Sequence, residues 1–207
     1  FSSPVEVGWL PKFGKDHLNG HYKAGFGYDN SSYPDLRDDI HGNAWIETGM
    51  PKRYRAGRAS AWVMADQMLV RNGDGPTNGL IALAGWMWAD GHTTAMSHHI
   101  WAGMVETGAK WGRPMDSVGA MYQWELMSRA STLQQEAASM AGVPFPSNQW
   151  GTVWGIQSHE NIYEVFYNAH VAPGISLQPD FQYINRPGGS TVFHDAAVMG
   201  LQFNAVL

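Results

Sequence analysis

The chain has 207 residues, a formal net charge of −5 and no cysteine. The lack of cysteine excludes disulfides, thiol catalysis and cysteine-ligated zinc, and the acidic balance argues against a nucleic-acid-binding surface. No run of about 18 apolar residues occurs, so the sequence offers no candidate for a transmembrane helix. Glycine is abundant at 24 residues, beside 10 Trp, 8 Tyr and 8 Phe, which suits strands joined by tight turns.

Taken in chain order, the hydropathy pattern predicts nine strands. They span residues 4–10, 21–29, 59–71, 79–89, 99–107, 117–126, 161–171, 175–185 and 196–207. The third, fourth and fifth carry apolar residues on both faces, which leaves their inward side ambiguous.

The alternation is clearest in the last three predicted strands. In residues 161–171, for example, Tyr163 and Val165 fall on one face, whereas Glu164 and Asn168 fall on the other. Each run is close to the roughly 9–11 residues that a tilted strand needs to cross a bilayer. A transmembrane β-barrel shows this pattern, with apolar side chains toward lipid and polar ones toward a lumen. A soluble sandwich with its polar face toward water explains the alternation equally well.

The predicted connections alternate between long and short. Residues 30–58 and 127–160 are predicted as long loops, whereas 172–174 is a tight turn. Outer-membrane barrels have longer external loops and short periplasmic turns. Inside the second long loop, residues 131–141 are rich in helix formers and precede Gly142, a favourable C-cap. We therefore expect one short helix packed over the mouth of the barrel.

The predicted strand number conflicts with a closed barrel. A barrel whose two termini lie on the same side has an even number of strands, and an open sheet would leave unpaired edges in lipid. We therefore expect either that the chain is the C-terminal portion of a longer barrel or that the count is wrong by one strand.

Four phrases of the sequence resemble a known family. They are ADQM at 65–68, GRPMDSVG at 112–119, YEVFYNAHVAP at 163–173 and LQPDFQYINRPGG at 177–189. Their order is similar to that in the C-terminal half of the carbohydrate-selective porin family, the OprB-type outer-membrane porins. The resemblance implies an antiparallel up-and-down barrel of about 16 strands in the bacterial outer membrane. It also implies passive diffusion of monosaccharides such as glucose, contact with lipid, a homotrimer, and no cofactor.

The polar faces of the predicted strands supply candidate residues for the channel lining. Carboxylates and amides offer directed hydrogen bonds to sugar hydroxyls, and transport requires that the binding stay weak. The candidates are Lys23, Gln123, Glu125, Glu164, Asn168, His170, Asp180 and Gln182. For any one of them, the plainer interpretation is a solvated wall residue without a specific role.

Other motifs give weaker signals. His98 and His99 are adjacent and point apart in a strand, so together with His92 they predict no metal site. No Gly-x-Ser-x-Gly nucleophile elbow occurs, so we do not expect an enzyme. Several tryptophans near strand ends suit a membrane-interface girdle as well as sugar stacking: Trp86, Trp88, Trp101, Trp111, Trp124, Trp150 and Trp154. A barrel without sugar preference remains an alternative.

Overall fold

One antiparallel sheet accounts for most of the molecule. The computed structural model describes residues 1–108, 112–147 and 151–206. Its strands are β1 (Ser2–Trp9), β2 (Lys12–Phe13), β3 (Leu18–Asp39), β4 (Lys52–Arg71), β5 (Gly79–Ala89), β6 (Met96–Thr107), β7 (Ser117–Met127), β8 (His159–Ala172), β9 (Ile175–Asn185) and β10 (Ala196–Ala205). The helices are α1 (Trp45–Thr48), α2 (Arg129–Ala141) and a short 3-10 helix, Pro187–Gly189.

The strands follow one another as an up-and-down meander. The order in the sheet is β1-β3-β4-β5-β6-β7-β8-β9-β10, and the two-residue strand β2 pairs with β3 at its side. The nine predicted strands are therefore all present, and β2 is an addition. Within the described ranges β1 pairs only with β3, and β10 pairs only with β9, so the sheet is open.

The apolar face of the sheet is more exposed than its polar face. On β9, Phe181 and Tyr183 are 38% and 41% exposed, whereas the alternating Asp180 and Gln182 are half-buried. A soluble β-protein buries its apolar face instead. The predicted membrane barrel is confirmed by this inversion, and the soluble sandwich is wrong because the described chain has no second layer to cover the apolar face.

The buried apolar core is correspondingly small. Among the described residues it consists of Ala44, Met68, Ala95, Met127, Ala137, Ala138 and Val153. Backbone hydrogen bonds between strands, rather than a packed interior, hold this sheet together.

The segment 30–58 corrects the sequence prediction. It was expected to be a long loop, but β3 and β4 continue through most of it as a paired hairpin, with Ser32 opposite Ala56 and Pro34 opposite Tyr54. The register shifts between Asp29 and Ser32 and again after Pro34. These irregularities break the period of two, so the sequence pattern is that of a loop although the backbone remains extended.

The predicted helix at 131–141 is confirmed as α2, which starts two residues earlier. The Ser128 side chain accepts a hydrogen bond from the Ser131 N–H at 3.1 Å, which is a standard N-cap. Gly142 ends the helix with φ of 64°, a conformation that glycine adopts without steric cost. Within the described ranges, no helix has the length and apolar character needed to span a membrane.

Candidate channel wall

All eight candidate lining residues lie on the polar face of the sheet. Glu164 stands opposite Gln182 on β9 and opposite Met121 on β7, two residues from Gln123. Paired residues share a face, and so do residues two apart in a strand. Followed from strand to strand, this rule places all eight candidates on one face: Lys23, Gln123, Glu125, Glu164, Asn168, His170, Asp180 and Gln182.

Cross-strand hydrogen bonds order several of these side chains. The Gln182 Nε2 donates to Glu164 Oε2 at 3.3 Å, and Asn168 Nδ2 donates to Gln178 Oε1 at 3.3 Å. His99 Nε2 lies 3.2 Å from Gln123 Oε1. Each group is only half-buried, so water and a solute reach its remaining lone pairs and N–H groups.

A second polar group lies near the other edge of the sheet. Lys23 Nζ is 3.2 Å from Glu6 Oε1, and the Trp62 indole N–H donates to Glu6 Oε2 at 2.9 Å. Further along the same face, His21 Nδ1 is 2.6 Å from Asp66 Oδ1. The sequence pattern predicted Lys23 but not its partners, because the pairing of distant strands is not visible in the hydropathy period.

The polar face carries more carboxylates than fixed cations. Glu125 stands directly opposite Glu160, and Asp180 and Glu164 lie on the two neighbouring strands β9 and β8. Lys23 is already paired with Glu6. This part of the polar face therefore carries a net negative charge.

The backbone of His170 is hydrogen-bonded to a neighbouring turn. It lies at the end of the sheet where the connections after β4, β6 and β8 are short, which we call the turn end. Its backbone N–H donates to Asp116 Oδ1 at 2.9 Å, and its carbonyl accepts from Arg113 at 3.0 Å. Asp116 is 1% exposed and also accepts from Arg113 and from the Tyr167 hydroxyl. The Arg113 guanidinium, with these other donors, outweighs burial and lowers the pKa of Asp116 to about 2.

At the opposite, loop end, a charged cluster joins the β3–β4 hairpin to the connection after β5. Asp35 is fully buried and accepts from the backbone N–H groups of Arg37 and Asp38 at 2.9 Å and from Arg55. Burial raises the pKa of Asp35, but these donors outweigh it and the net shift is downward. His92 Nδ1 lies 3.6 Å from the Asp35 carboxylate.

The histidines singled out in the sequence do not come together. His92 joins Asp35 and Asp38, and the ligand atoms of these three lie within 4.8 Å of one another. His98 instead accepts from the Trp86 indole at 3.1 Å, and His99 contacts Gln123. Three arginines contact the two carboxylates near His92, so the negative charge of this group is offset by ion pairs.

Helix α2 is held at the loop end by buried amides. Gln135 Nε2 donates to Gln157 Oε1 at 2.9 Å, and the Gln157 N–H donates back to Gln135 Oε1 at 2.7 Å. Gln157 Nε2 then donates to the Gly188 carbonyl at 2.6 Å. An open cavity of about 800 Å³ beside α2 is lined in part by Arg37, Asp90 and Arg129. The loops at this end of the sheet, together with α2, form the mouth above the polar face.

Comparison with known protein families agrees with this geometry. The model of the carbohydrate-selective porins, OprB family, matches residues 1–207. The chain belongs to the carbohydrate-selective porin family. This membership explains why a sheet with an apolar exposed face carries a half-buried polar one, and it locates the protein in the bacterial outer membrane.

Relatives of this porin chain agree with that assignment. Porin B of Pseudomonas aeruginosa is 27% identical over 204 residues, which are 98% of this chain and 44% of that protein. The high-pH structure of Pseudomonas putida OprB is 27% identical with a TM-score of 0.88, over 99% of this chain and 48% of that one. The low-pH structure of the same protein, at 19% identity and a TM-score of 0.59, shows the fold alone. The chain therefore spans about half the length of the relatives it matches.

Two of the tryptophans assigned to an interface girdle, Trp111 and Trp150, lie outside the described residues, as does Leu207. Trp86 and Trp124 lie on the apolar face, which suits such a girdle. Trp101 differs from them, because its register opposite Gln123 and Gly85 puts it on the polar face.

Proposed function

We propose that this chain forms part of the wall of an outer-membrane channel through which sugars, monosaccharides such as glucose, diffuse passively. The single observation that carries the proposal is the inverted sheet, with half-buried amides and carboxylates opposite an exposed apolar face. Family membership supports the same function. Diffusion breaks no bond, so the channel needs no catalytic group.

The chemistry of the polar face suits a neutral polyhydroxylated solute. Glu164, Asp180 and Gln182 supply acceptors and donors at directly paired or neighbouring positions. Sugar hydroxyls both donate and accept, so they exchange hydrogen bonds with such groups without a net charge. Because these side chains are half-exposed, water competes for them, and the weak binding lets the solute leave.

The two edges of the sheet call for further strands. β1 and β10 each present one edge that no described residue pairs with, and unpaired backbone groups in hydrocarbon cost several kcal/mol each. We infer that the 207 residues form one sheet domain, the C-terminal portion of a barrel of about 16 strands. We call this closed barrel the complete porin.

The two faces and the two ends of the sheet also indicate how the barrel is oriented in the membrane. The apolar face contacts outer-membrane lipid, the loop end with α2 faces the exterior, and the turn end faces the periplasm. A homotrimer remains a prediction from the family resemblance, and chemical cross-linking in membranes followed by denaturing electrophoresis tests it.

Liposome swelling tests the function. Liposomes containing the complete porin are expected to swell rapidly in isotonic glucose and more slowly in succinate, since the carboxylate-rich wall repels a dianion. Porin denatured by heat before reconstitution is the control for leakage. Equal rates for all solutes of this size would favour a barrel without sugar preference. No swelling in glucose would contradict the proposal.

A further inference from the structure

The cavity of about 800 Å³ beside α2 opens on the apolar side of the sheet. Trp88, His98 and Leu126 line it, and they form one cross-strand row at the loop end of β5, β6 and β7. Trp88 and Leu126 lie two residues beyond Trp86 and Trp124 in their strands, which puts them on the same apolar face. We call this cavity the outer groove.

The polar face of the same strands does not contribute to the outer groove. Met87, His99 and Glu125 form the neighbouring row on that face, and none of these three lines the cavity. The groove therefore opens outside the lumen, on the side that the proposed barrel presents to lipid. Its position at the loop end corresponds to the outer leaflet of the membrane in the proposed orientation.

The floor and one wall of the outer groove are apolar. Trp88 and Leu126 come from the strands, and Ala130 and Leu133 come from α2. Ala130 and Leu133 are three residues apart, so they lie on the same face of the helix. All four side chains are half-buried. Small-molecule sites usually occupy about 300–1,000 Å³, so the groove has room for an acyl chain.

Two arginines without carboxylate partners stand at the rim of this groove. Arg129 lines it and is exposed. Arg186 Nη1 donates to the hydroxyl of Ser158 at 3.1 Å, and Ser158 lines the groove as well. Within the described ranges, neither arginine forms an ion pair. Both guanidinium groups are therefore available to an external anion.

The carboxylates of the outer groove are already engaged. Asp38 is paired with Arg37 at 3.1 Å. The two oxygens of Asp90 accept from the His92 N–H and from the Thr93 hydroxyl, each at 3.1 Å. The groups that remain free to bind a ligand at the rim are thus positively charged donors.

An apolar groove with arginines at its upper rim matches an anionic lipid. Tryptophans at a strand end mark the boundary between hydrocarbon and headgroups, so acyl chains extend down the apolar face from this level. The planar guanidinium group binds phosphate oxygens in a bidentate manner. The outer leaflet of a bacterial outer membrane is formed by lipopolysaccharide, whose lipid A part carries phosphates and several acyl chains.

We propose that the outer groove is a docking site for the lipid A part of lipopolysaccharide. Arg129 and Arg186 bind its phosphate, and Trp88, Leu126 and Leu133 contact an acyl chain. The inference goes beyond the passage of sugars and rests on the proposed function only for the outward orientation of the loop end. The competing explanation is that the two arginines only keep the loop end soluble.

Binding of lipid A to the complete porin, refolded in detergent without lipid, separates the two explanations. Native mass spectrometry measures the affinity for bisphosphorylated lipid A and for lipid A from which both phosphates have been removed. The variant R129Q/R186Q removes the two rim charges. The matched control K12Q/K15Q removes two exposed positive charges at the turn end. Inorganic phosphate is added as a competitor in a further series.

Wild type and K12Q/K15Q are expected to bind the bisphosphorylated form about tenfold more tightly than the dephosphorylated form. A hydrogen bond to a charged group changes affinity by about that factor. In R129Q/R186Q the preference should fall to about twofold or less. Leu133→Gln should weaken both forms about equally, since it removes apolar contact and leaves the arginines in place. The heat-induced mobility shift verifies that every variant is folded.

Two results would overturn the docking site. One is a wild-type preference for phosphorylated lipid A in R129Q/R186Q, or an equal loss in K12Q/K15Q. The other is full competition by inorganic phosphate, which would indicate a site for free anions instead of lipid.

Liposome swelling in glucose keeps this inference separate from the proposed function. R129Q/R186Q should swell like wild type, because neither arginine lies on the polar wall. A porin that swells in glucose but shows no preference for phosphorylated lipid A would refute the docking site alone. A porin that shows the preference but does not swell would refute the sugar channel and leave the docking site standing.

Discussion

At the scale of single residues, Asp116 shows how a turn is fixed to a neighbouring strand. The carboxylate precedes β7, yet it accepts from the backbone N–H of His170 and from the Tyr167 hydroxyl on β8. Arg113 completes the set from within the same turn. Separating a buried carboxylate from its charged and neutral donors is costly. This one side chain therefore holds the turn against the end of β8.

Replacement of Asp116 should therefore destabilise the barrel. Asp116→Ala removes the acceptor of the His170 N–H and leaves Arg113 with the His170 carbonyl alone, and we expect a loss of about 2–3 kcal/mol. The measurement is urea unfolding of the complete porin in detergent. Asp16→Asn, at an exposed carboxylate of the same end, is the matched control and should stay within about 0.5 kcal/mol of wild type. An equal loss in both variants would contradict the role of Asp116.

The same carboxylate makes stability depend on pH. The folded pKa of about 2 lies below the ordinary value of 3.8, so the unfolded chain binds the proton more readily. The stabilisation is fully present above pH 3.8 and is lost as the pH falls toward 2. Wild type should lose stability over this window more steeply than Asp116→Asn, which carries no titrating group there. Parallel pH profiles for the two proteins would refute this linkage.

At the scale of strands, the alternation of side chains places adjacent residues on opposite faces of the sheet. Phe181 and Gln182 are adjacent in β9, but Phe181 lies on the apolar face opposite Val165 and Gln182 lies on the polar face opposite Glu164. The environment of each residue therefore changes completely over one step of about 3.3 Å.

A lysine at each of these two positions should have opposite consequences. Phe181→Lys puts a charge into lipid near the middle of a strand, at an expected cost of about 2–4 kcal/mol. Gln182→Lys puts the same charge into the wet lumen beside Glu164 and should cost less than about 0.5 kcal/mol. Unfolding of the complete porin in lipid vesicles gives both values. Similar costs at the two positions would show that the faces are assigned wrongly.

The carboxylates of the polar face predict a cation preference. Glu164→Gln and Asp180→Asn together remove two charges from paired strands while they keep the hydrogen-bonding shape. The ratio of cation to anion permeability, obtained from the reversal potential in a salt gradient, should fall by about twofold or more at low ionic strength. Lys23→Gln is the opposite control and should raise the ratio. An unchanged ratio in both variants would show that the constriction lies elsewhere.

The strands were predictable where a single period governs them. β8, β9 and β10 alternate almost without interruption, so the faces of these three strands and the polar-face positions of the five candidates on β8 and β9 follow from the sequence. The β3–β4 hairpin was not predictable, because Pro34 and two register shifts interrupt the period. The pairing of Trp62 with Gly25 was not predictable either, since it depends on the long-range register of β3 and β4, which a one-dimensional pattern does not contain.

At the scale of the whole molecule, the proposed channel wall has one face toward lipid and the other toward water. The chain has no cysteine, so single cysteines report on this arrangement directly. In the porin reconstituted in vesicles, Glu164→Cys should react with a membrane-impermeant maleimide, whereas Val165→Cys should stay unlabelled. In the unfolded porin in urea both should react equally, which controls for intrinsic reactivity. Labelling of Val165→Cys in the bilayer would place the apolar face in water.

The alternation has a consequence before the protein reaches its membrane. A bacterial outer-membrane protein first crosses the inner membrane, where a long apolar stretch would halt and remain as a helix. Here polar residues interrupt most strands, as in β8 and β9, and the mean hydropathy of the chain is only −0.30. The apolar surface thus exists only after the strands pair, because folding itself collects the dispersed apolar side chains on one side. The chain can travel as a hydrophilic polymer and become a membrane protein at its destination.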